Sequence, residues 1–150
     1  MDKEQLRMQV SEKMKLIRVE SGYTQNRMAE CLGLSKKTLV QIEKGRTIAG
    51  WTTVVAVCAL FQGSEVLKGL LGDAPLEIVE TLAHDQVERP SGQTMGGKVW
   101  WQSLEENDSF ILQQNVISQH YRIIDHHHQR WFSSFDEEEV KRRFSELSHN

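Results

Sequence analysis

Cysteine and proline are scarce in this chain of 150 residues, which contains two of each. Cys31 and Cys58 lie among apolar residues with no Cys or His at a metal-binding spacing, so we interpret them as small buried hydrophobes. No apolar run approaches the roughly 18 residues that a membrane-spanning helix needs, and the charged N-terminus is unlike a signal peptide. These absences argue against a disulfide scaffold and against a membrane protein, and we expect a cytoplasmic chain with no membrane partner.

Residue patterns typical of catalysis are also missing. The sequence has no glycine-rich phosphate loop after a strand, no paired carboxylates and no Ser/His/Asp or Cys/His arrangement. Three consecutive histidines, His126, His127 and His128, favour a solvated hairpin turn over a metal site, because neighbours along a strand point to opposite sides. We therefore expect no enzyme, no catalytic or metal-binding residues and no cofactor.

Charge is divided unevenly between the two halves of the chain. The net charge of −3 conceals a basic part, residues 1–72, with 11 Lys/Arg and 7 Asp/Glu, and an acidic part, residues 73–150, with 7 Lys/Arg and 14 Asp/Glu. Phosphate affinity depends on the local field rather than on the total charge. The division favours a DNA-contacting module joined to an acidic partner module.

Residues 1–72 are predicted to form a mainly α domain, a bundle of five short helices. In the first helix four apolar residues recur at spacings of three or four, namely Leu6, Val10, Met14 and Ile17. Capping residues and glycines set the boundaries of the others. The predicted helices are 5–20, a second capped by Thr24 and ended by Gly33, 36–44 capped by Ser35 and ended by Gly45, 52–62, and 64–71 capped by Ser64.

Residues 73–97 are predicted to connect this domain to another one. A short helix over 76–82 is followed by a polar stretch, 84–97, whose Pro90 and three glycines indicate a flexible linker.

A small α+β domain is predicted over residues 98–150. Short β-branched and aromatic runs at 98–102, 110–113, 120–124 and 130–133 indicate an antiparallel meander of three to four strands, separated by polar clusters such as 105–108. A final helix over 136–147 is opened by a capping box from Ser134 to Glu137, and Val140, Phe144 and Leu147 are expected to pack on the sheet.

Residues 24–45 carry the most informative pattern, two short helices joined by a turn that begins at a glycine. The residues that matter are Thr24, Gln25, Ala29, Gly33, Leu34, Ser35 and the run Ile42-Glu43-Lys44-Gly45. In combination they resemble the helix-turn-helix of the Cro and Xre phage-repressor family, and the resemblance extends over about residues 5–71. The resemblance implies a five-helix domain. It also implies that the second of the two short helices enters the major groove of DNA.

Base contacts are expected from the start of this recognition helix, residues 35–44. A helix that enters the major groove presents its N-terminal side chains to base edges, so these must be long, polar or cationic. Lys36, Lys37 and Gln41 meet this requirement, and Thr38 can offer a hydroxyl or touch a thymine methyl group. The family resemblance assigns base reading to the positions of Lys36, Lys37 and Gln41.

Phosphate contacts are expected on both sides of the recognition helix. Gln25 resembles the family glutamine that fixes a phosphate at a helix N-terminus. The expected phosphate-binding residues are Gln25, Ser35, Lys44, Arg46 and Thr47. Glu43 would repel phosphates unless it pairs with a basic neighbour, for which Arg27 is one candidate.

The leading hypothesis is a sequence-specific transcriptional regulator that binds double-stranded DNA, as a homodimer on a two-fold operator. An alternative is an antitoxin or adaptor whose C-terminal domain holds a protein partner. A third is a ligand-sensing or metal-sensing domain built around Trp101, His120 and the histidine turn.

Overall fold

Six helices follow one another in the first part of the computed structural model, in which residues 1–84 and 100–149 are described. The chain divides into two units, Met1–Arg89 and Pro90–Asn150. The expected linker over 84–97 lies outside the described residues apart from His84, as do the first two residues of the strand predicted at 98–102. The expected domain limits of 1–72, 73–97 and 98–150 stay a prediction.

The helices of the first unit pack around one apolar core. Their bounds are α1 Lys3–Glu20, α2 Gln25–Leu32, α3 Lys36–Glu43, α4 Trp51–Leu60, α5 Glu65–Leu71 and α6 Pro75–Ala83. The predicted face of α1 is confirmed, because its four apolar residues Leu6, Val10, Met14 and Ile17 are all fully buried. Thr24, Ser35 and Ser64 each cap a helix as expected, accepting a hydrogen bond from the backbone three residues on.

The helix expected at 76–82 belongs to this core as α6. Its Val79 is buried, and Leu76, Ile78 and Leu82 pack partly buried against the same cluster of apolar side chains. Among the described residues no single helix is long and apolar enough to cross a membrane. The pair α4 and α5 has the length and composition to do so, but the two helices are bent by 119° where they meet.

Within residues 100–149 the second unit forms a four-stranded antiparallel meander followed by a helix, which confirms the predicted α+β class. Its elements are β1 Trp101–Glu106, β2 Phe110–Asn115, β3 Tyr121–Asp125, β4 Arg130–Ser134 and the helix α7, Glu137–Ser148. The strands lie in sequence order, β1-β2-β3-β4. The polar cluster expected to separate the first two strands is partly wrong, because Glu105 and Glu106 remain in β1, paired with Leu112 and Ile111.

One face of the sheet is covered by α7. Leu112 and Ile123 are fully buried on that face and lie side by side across β2 and β3. They pack against Val140 and Phe144, and Leu147 lies at the margin of the same cluster. The expectation that these three side chains of the helix pack on the sheet is therefore confirmed.

The cap of α7 differs from the predicted capping box between Ser134 and Glu137. Asp136 is the N-cap residue, and its carboxylate accepts hydrogen bonds from the backbone N–H groups of Glu138 at 3.0 Å and Glu139 at 3.3 Å. Ser134 lies two positions too early to cap the helix, because it is still part of β4. Its hydroxyl instead accepts from the N–H of Asp136 and donates to the carboxylate of Glu139.

The histidine run forms the predicted turn between β3 and β4. Asp125 holds this turn, since its carboxylate accepts from the N–H groups of His127 and Gln129 and from the indole of Trp131 at 3.0 Å. These hydrogen bonds, the one from Trp131 first, lower the pKa of Asp125. His128 adopts a left-handed φ of 63°, as a tight turn requires.

We expect Asp136→Ala to lower the free energy of unfolding of the second unit by about 1 kcal/mol, because two N–H groups of α7 lose their acceptor. Asp136→Asn should retain most of the stability, since the amide oxygen can still accept. Urea unfolding measures both. Asp108→Ala is the matched control, because it removes an exposed carboxylate that caps no helix; an equal loss in that variant would contradict the assigned cap.

Candidate nucleic-acid interface

A sharp turn joins α2 and α3 and sets their mutual direction. Gly33 ends α2 with a left-handed φ of 72°, a conformation that side chains with a Cβ rarely adopt. Two residues later the Ser35 hydroxyl accepts from the N–H of Thr38 at 3.1 Å and starts α3. The sequence thus encodes both ends of the turn locally, as expected from the spacing of Gly33 and Ser35.

The inner face of α3 is anchored in the core, and this anchoring defines which side chains point outward. Leu39 is fully buried and Ile42 is 3% exposed. Lys36, Lys37 and Thr38 are exposed at the start of the helix. Gln41 is half-buried one turn later. The four residues predicted to read bases therefore share one short helix with a buried inner face, and their role in base reading stays a prediction.

The residues predicted to contact phosphates lie at both ends of the motif. Gln25 is the first residue of α2 and is half-buried, with its amide nitrogen 3.4 Å from a Glu43 carboxylate oxygen. Lys44, Arg46 and Thr47 are exposed directly after α3. The Ser35 hydroxyl is occupied by its cap and by a hydrogen bond to the Thr38 hydroxyl at 2.8 Å, leaving its backbone N–H as the donor at that position.

A bidentate ion pair connects α1 to the end of α3. The Arg18 guanidinium donates to Glu43 through Nε at 2.8 Å and through Nη2 at 2.9 Å. The two side chains are 12% and 4% exposed. Hydrogen bonding to Glu43 raises the pKa of Arg18, which favours the charged guanidinium.

The structural role expected of Glu43 is confirmed, but Arg27 as its candidate partner is wrong. Arg27 extends outward from α2, 3.8 Å from the Glu30 carboxylate and over the ring of Tyr23. The partner is Arg18 of α1, a helix whose predicted apolar face is buried. It lies at the edge of that face, one residue after buried Ile17, where a long side chain reaches α3. Its third nitrogen, Nη1, also donates to the Tyr23 carbonyl at 2.9 Å.

The segment after α3 is fixed to α1 at Ala49 by Arg7 and Ser11, two residues that were not predicted to have a role. Ser11 is buried, and its hydroxyl accepts from the N–H of Ala49 at 2.8 Å while donating to the Arg7 carbonyl. Arg7 donates through Nε to the Ala49 carbonyl at 2.9 Å. A serine on the buried side of an amphipathic helix is the one sequence signal that points to this contact. Through it, the loop that carries Arg46 and Thr47 is held at its far end.

We expect Arg18→Met to lower the free energy of unfolding of the first unit by about 3 kcal/mol, because it leaves the Glu43 carboxylate buried without its counter-ion. The double variant Arg18→Met/Glu43→Leu should be more stable than Arg18→Met alone, since no unpaired charge remains. Thermal and urea unfolding of both measure the difference. Additive losses in the double variant would contradict a coupled buried pair.

Comparison with known proteins gives one match. Residues 9–71 match a family model described as a helix-turn-helix domain. The matched range begins within α1 and ends with the last residue of α5, so it includes α2, the turn and α3. No curated protein and no solved structure matches the chain.

Proposed function

We propose, from the premise that residues 9–71 match a helix-turn-helix domain, that the chain is a sequence-specific transcriptional regulator of the Cro/Xre kind with α3 in the major groove of DNA. The observation that carries the proposal is that α3 has a buried inner face and exposed cationic side chains at its start. Leu39 and Ile42 are buried, while Lys36 and Lys37 are exposed at its N-terminal end.

Lysine charges at the start of a helix need an explanation. Cations there oppose the helix dipole, which favours anions at the N-terminus. A nearby DNA phosphate or an electronegative base edge offsets this cost. Lysine can donate to guanine O6 and N7, and glutamine can pair with adenine through one donor and one acceptor. Lys36, Lys37, Thr38 and Gln41 are the proposed base-reading residues.

Phosphate contacts are proposed around this helix. Gln25 and the Ser35 backbone lie at the N-termini of α2 and α3, where free N–H groups attract an anion. Lys44, Arg46 and Thr47 follow α3 and are exposed. Arg46 is the strongest of these candidates, because its guanidinium can bind a phosphate with two parallel hydrogen bonds. These residues set the register of the domain on DNA without reading its sequence.

Two copies are proposed to bind together on a two-fold operator. A single helix of eight residues reaches only a few base pairs, so tight binding calls for two half-sites about one helical turn apart. The acidic second unit is the candidate for pairing the two copies or for receiving a signal, because its charge disfavours a direct role on DNA.

Lys37→Ala/Gln41→Ala is the variant that tests base reading. On DNA selected by the wild-type protein from a random pool, we expect it to lose at least about tenfold of the discrimination against scrambled DNA, since each good base contact contributes about 1–3 kcal/mol. Fluorescence anisotropy with both DNAs measures this ratio.

Lys15→Ala is the matched control for the base-reading variant, because it removes an equally exposed lysine from α1. It should leave discrimination unchanged. Full discrimination by the Lys37→Ala/Gln41→Ala protein would contradict the base-reading assignment, whereas failure of the wild-type protein to enrich any DNA would contradict the proposed function itself.

Arg46→Ala is expected to act on affinity rather than on specificity. It should weaken binding to selected and to scrambled DNA by the same factor and reduce the slope of log K against log[salt] by about 0.9, the value for one lost phosphate contact. Titrations at several salt concentrations give the slope. A change in which DNA sequence is preferred would show that Arg46 reads a base instead.

A second candidate function, binding of a protein partner through the second unit, is favoured by its exposed apolar side chains. Ile117 is 72% exposed and Phe135 is 78% exposed, and large exposed apolar side chains mark protein-binding surfaces where they form a patch. An antitoxin or adaptor would use such a surface. Purification of the full chain with a stoichiometric partner, lost on Phe135→Ser but not on Phe132→Leu, would support this function.

A further inference from the structure

The face of the sheet opposite α7 carries a second group of functional side chains. Residues paired across an antiparallel ladder share a face, and neighbours along a strand alternate between faces. Because Ile123 faces α7, its neighbour Arg122 and the residues in register with it face the other way. We call this side the second face, defined by Trp101, Gln113, Arg122, Ile124 and Arg130.

Arg122 is held in place on the second face by two contacts. Its guanidinium carbon lies 3.7 Å from the centroid of the Trp101 ring, and its Nε donates to the Gln113 side-chain oxygen at 2.8 Å. Its two terminal nitrogens form no hydrogen bond with the residues that the structure describes. A guanidinium fixed by stacking and by Nε is preorganised to offer its two Nη groups to an oxyanion.

The second face also brings two arginines together at its β3–β4 side, while its carboxylate, Glu106, lies on β1 at the opposite edge of the sheet, 3.9 Å from His126. Arg130 on β4 pairs with Ile124. Ile124 lies two residues along β3 from Arg122, on the same face of the sheet. Neither arginine forms an ion pair with a carboxylate within 1–84 or 100–149. Burial, and then the charge of Arg130, lower the pKa of Arg122. Two neighbouring cations, one of them half-buried, cost free energy that a bound anion would offset.

An aromatic wall of Trp101, His120 and Phe135 borders Arg122 on the side away from Arg130. His120 meets the edge of Trp101 at 5.0 Å between ring centroids, and Phe135 lies 5.6 Å from His120. Phe135 is largely exposed. The wall presents flat apolar surface next to the guanidinium of Arg122, which stacks on Trp101.

We propose that the second face is a binding site for a small oxyanion carried on a planar aromatic group. Arg122 binds the carboxylate or phosphate through its terminal nitrogens, Arg130 adds the second charge, and the aromatic group packs against His120 and Phe135. The site does not depend on the proposed DNA binding, because every residue named lies in the second unit.

Charge decides between this occupant and two larger ones. A second copy docked face to face would bring arginines against arginines, which is unfavourable. A nucleic acid needs a basic track, but residues 100–149 hold nine carboxylates and five Lys/Arg. Three of those five, Lys141, Arg142 and Arg143, pair with carboxylates on α7 itself. A single small anion matches what remains.

Isothermal titration of the full chain with phenyl phosphate, benzoate and inorganic phosphate tests the site. We expect at least one of the two aromatic anions to bind about tenfold or more tightly than inorganic phosphate. Arg122→Gln should weaken that binding by about tenfold or more, since charge-assisted hydrogen bonds are lost. Arg122→Lys should fall between them, because lysine keeps the charge but neither the planar fork nor the stack.

Arg142→Ala is the matched control, since it removes an exposed arginine from α7 and should leave the affinity unchanged. Circular dichroism checks that each variant is folded. The proposal is overturned if neither aromatic anion binds at up to about 10 mM, if Arg122→Gln binds as tightly as the wild-type protein, or if single-stranded oligothymidine binds more tightly than phenyl phosphate through the same arginine.

Discussion

The ion pair between Arg18 and Glu43 is the contact on which the geometry of the first unit depends. It joins the last turn of α1 to the last residue of α3, across 25 positions of sequence. Because both side chains are almost fully buried, neither charge is tolerated without the other. The same guanidinium holds the Tyr23 carbonyl, so the entry to α2 is fixed by the residue that fixes the exit of α3.

The geometry of the candidate interface depends on this ion pair. With α3 held by Glu43 at one end and capped by Ser35 at the other, its outward side chains have a defined direction. Gln25 lies close enough to Glu43 to be oriented by it, which relates the first phosphate-binding candidate to the position of the recognition helix. The loop that follows is held at Ala49 by Arg7 and Ser11. A few buried polar contacts to α1 thus set the geometry of the whole candidate surface.

Local sequence signals predicted the helices and their caps, because each depends on residues three or four apart. The face of α1, the Gly33 turn and the Ser35 cap belong to this class. Contacts between distant residues escaped prediction. The partner of Glu43 depends on how α1 packs on α3. The stack of Arg122 on Trp101 depends on the register of three strands. The predicted cap at Ser134 was wrong because β4 extends to that residue, so that the helix begins after Asp136.

Methylation interference on DNA selected from a random pool tests most directly the claim that α3 lies in the major groove. Methyl groups at guanine N7 project into the major groove and those at adenine N3 into the minor groove. We expect N7 methylation to block binding within two half-sites about 10 base pairs apart, centre to centre. Interference confined to adenine N3, or absent at every guanine of the selected site, would contradict it.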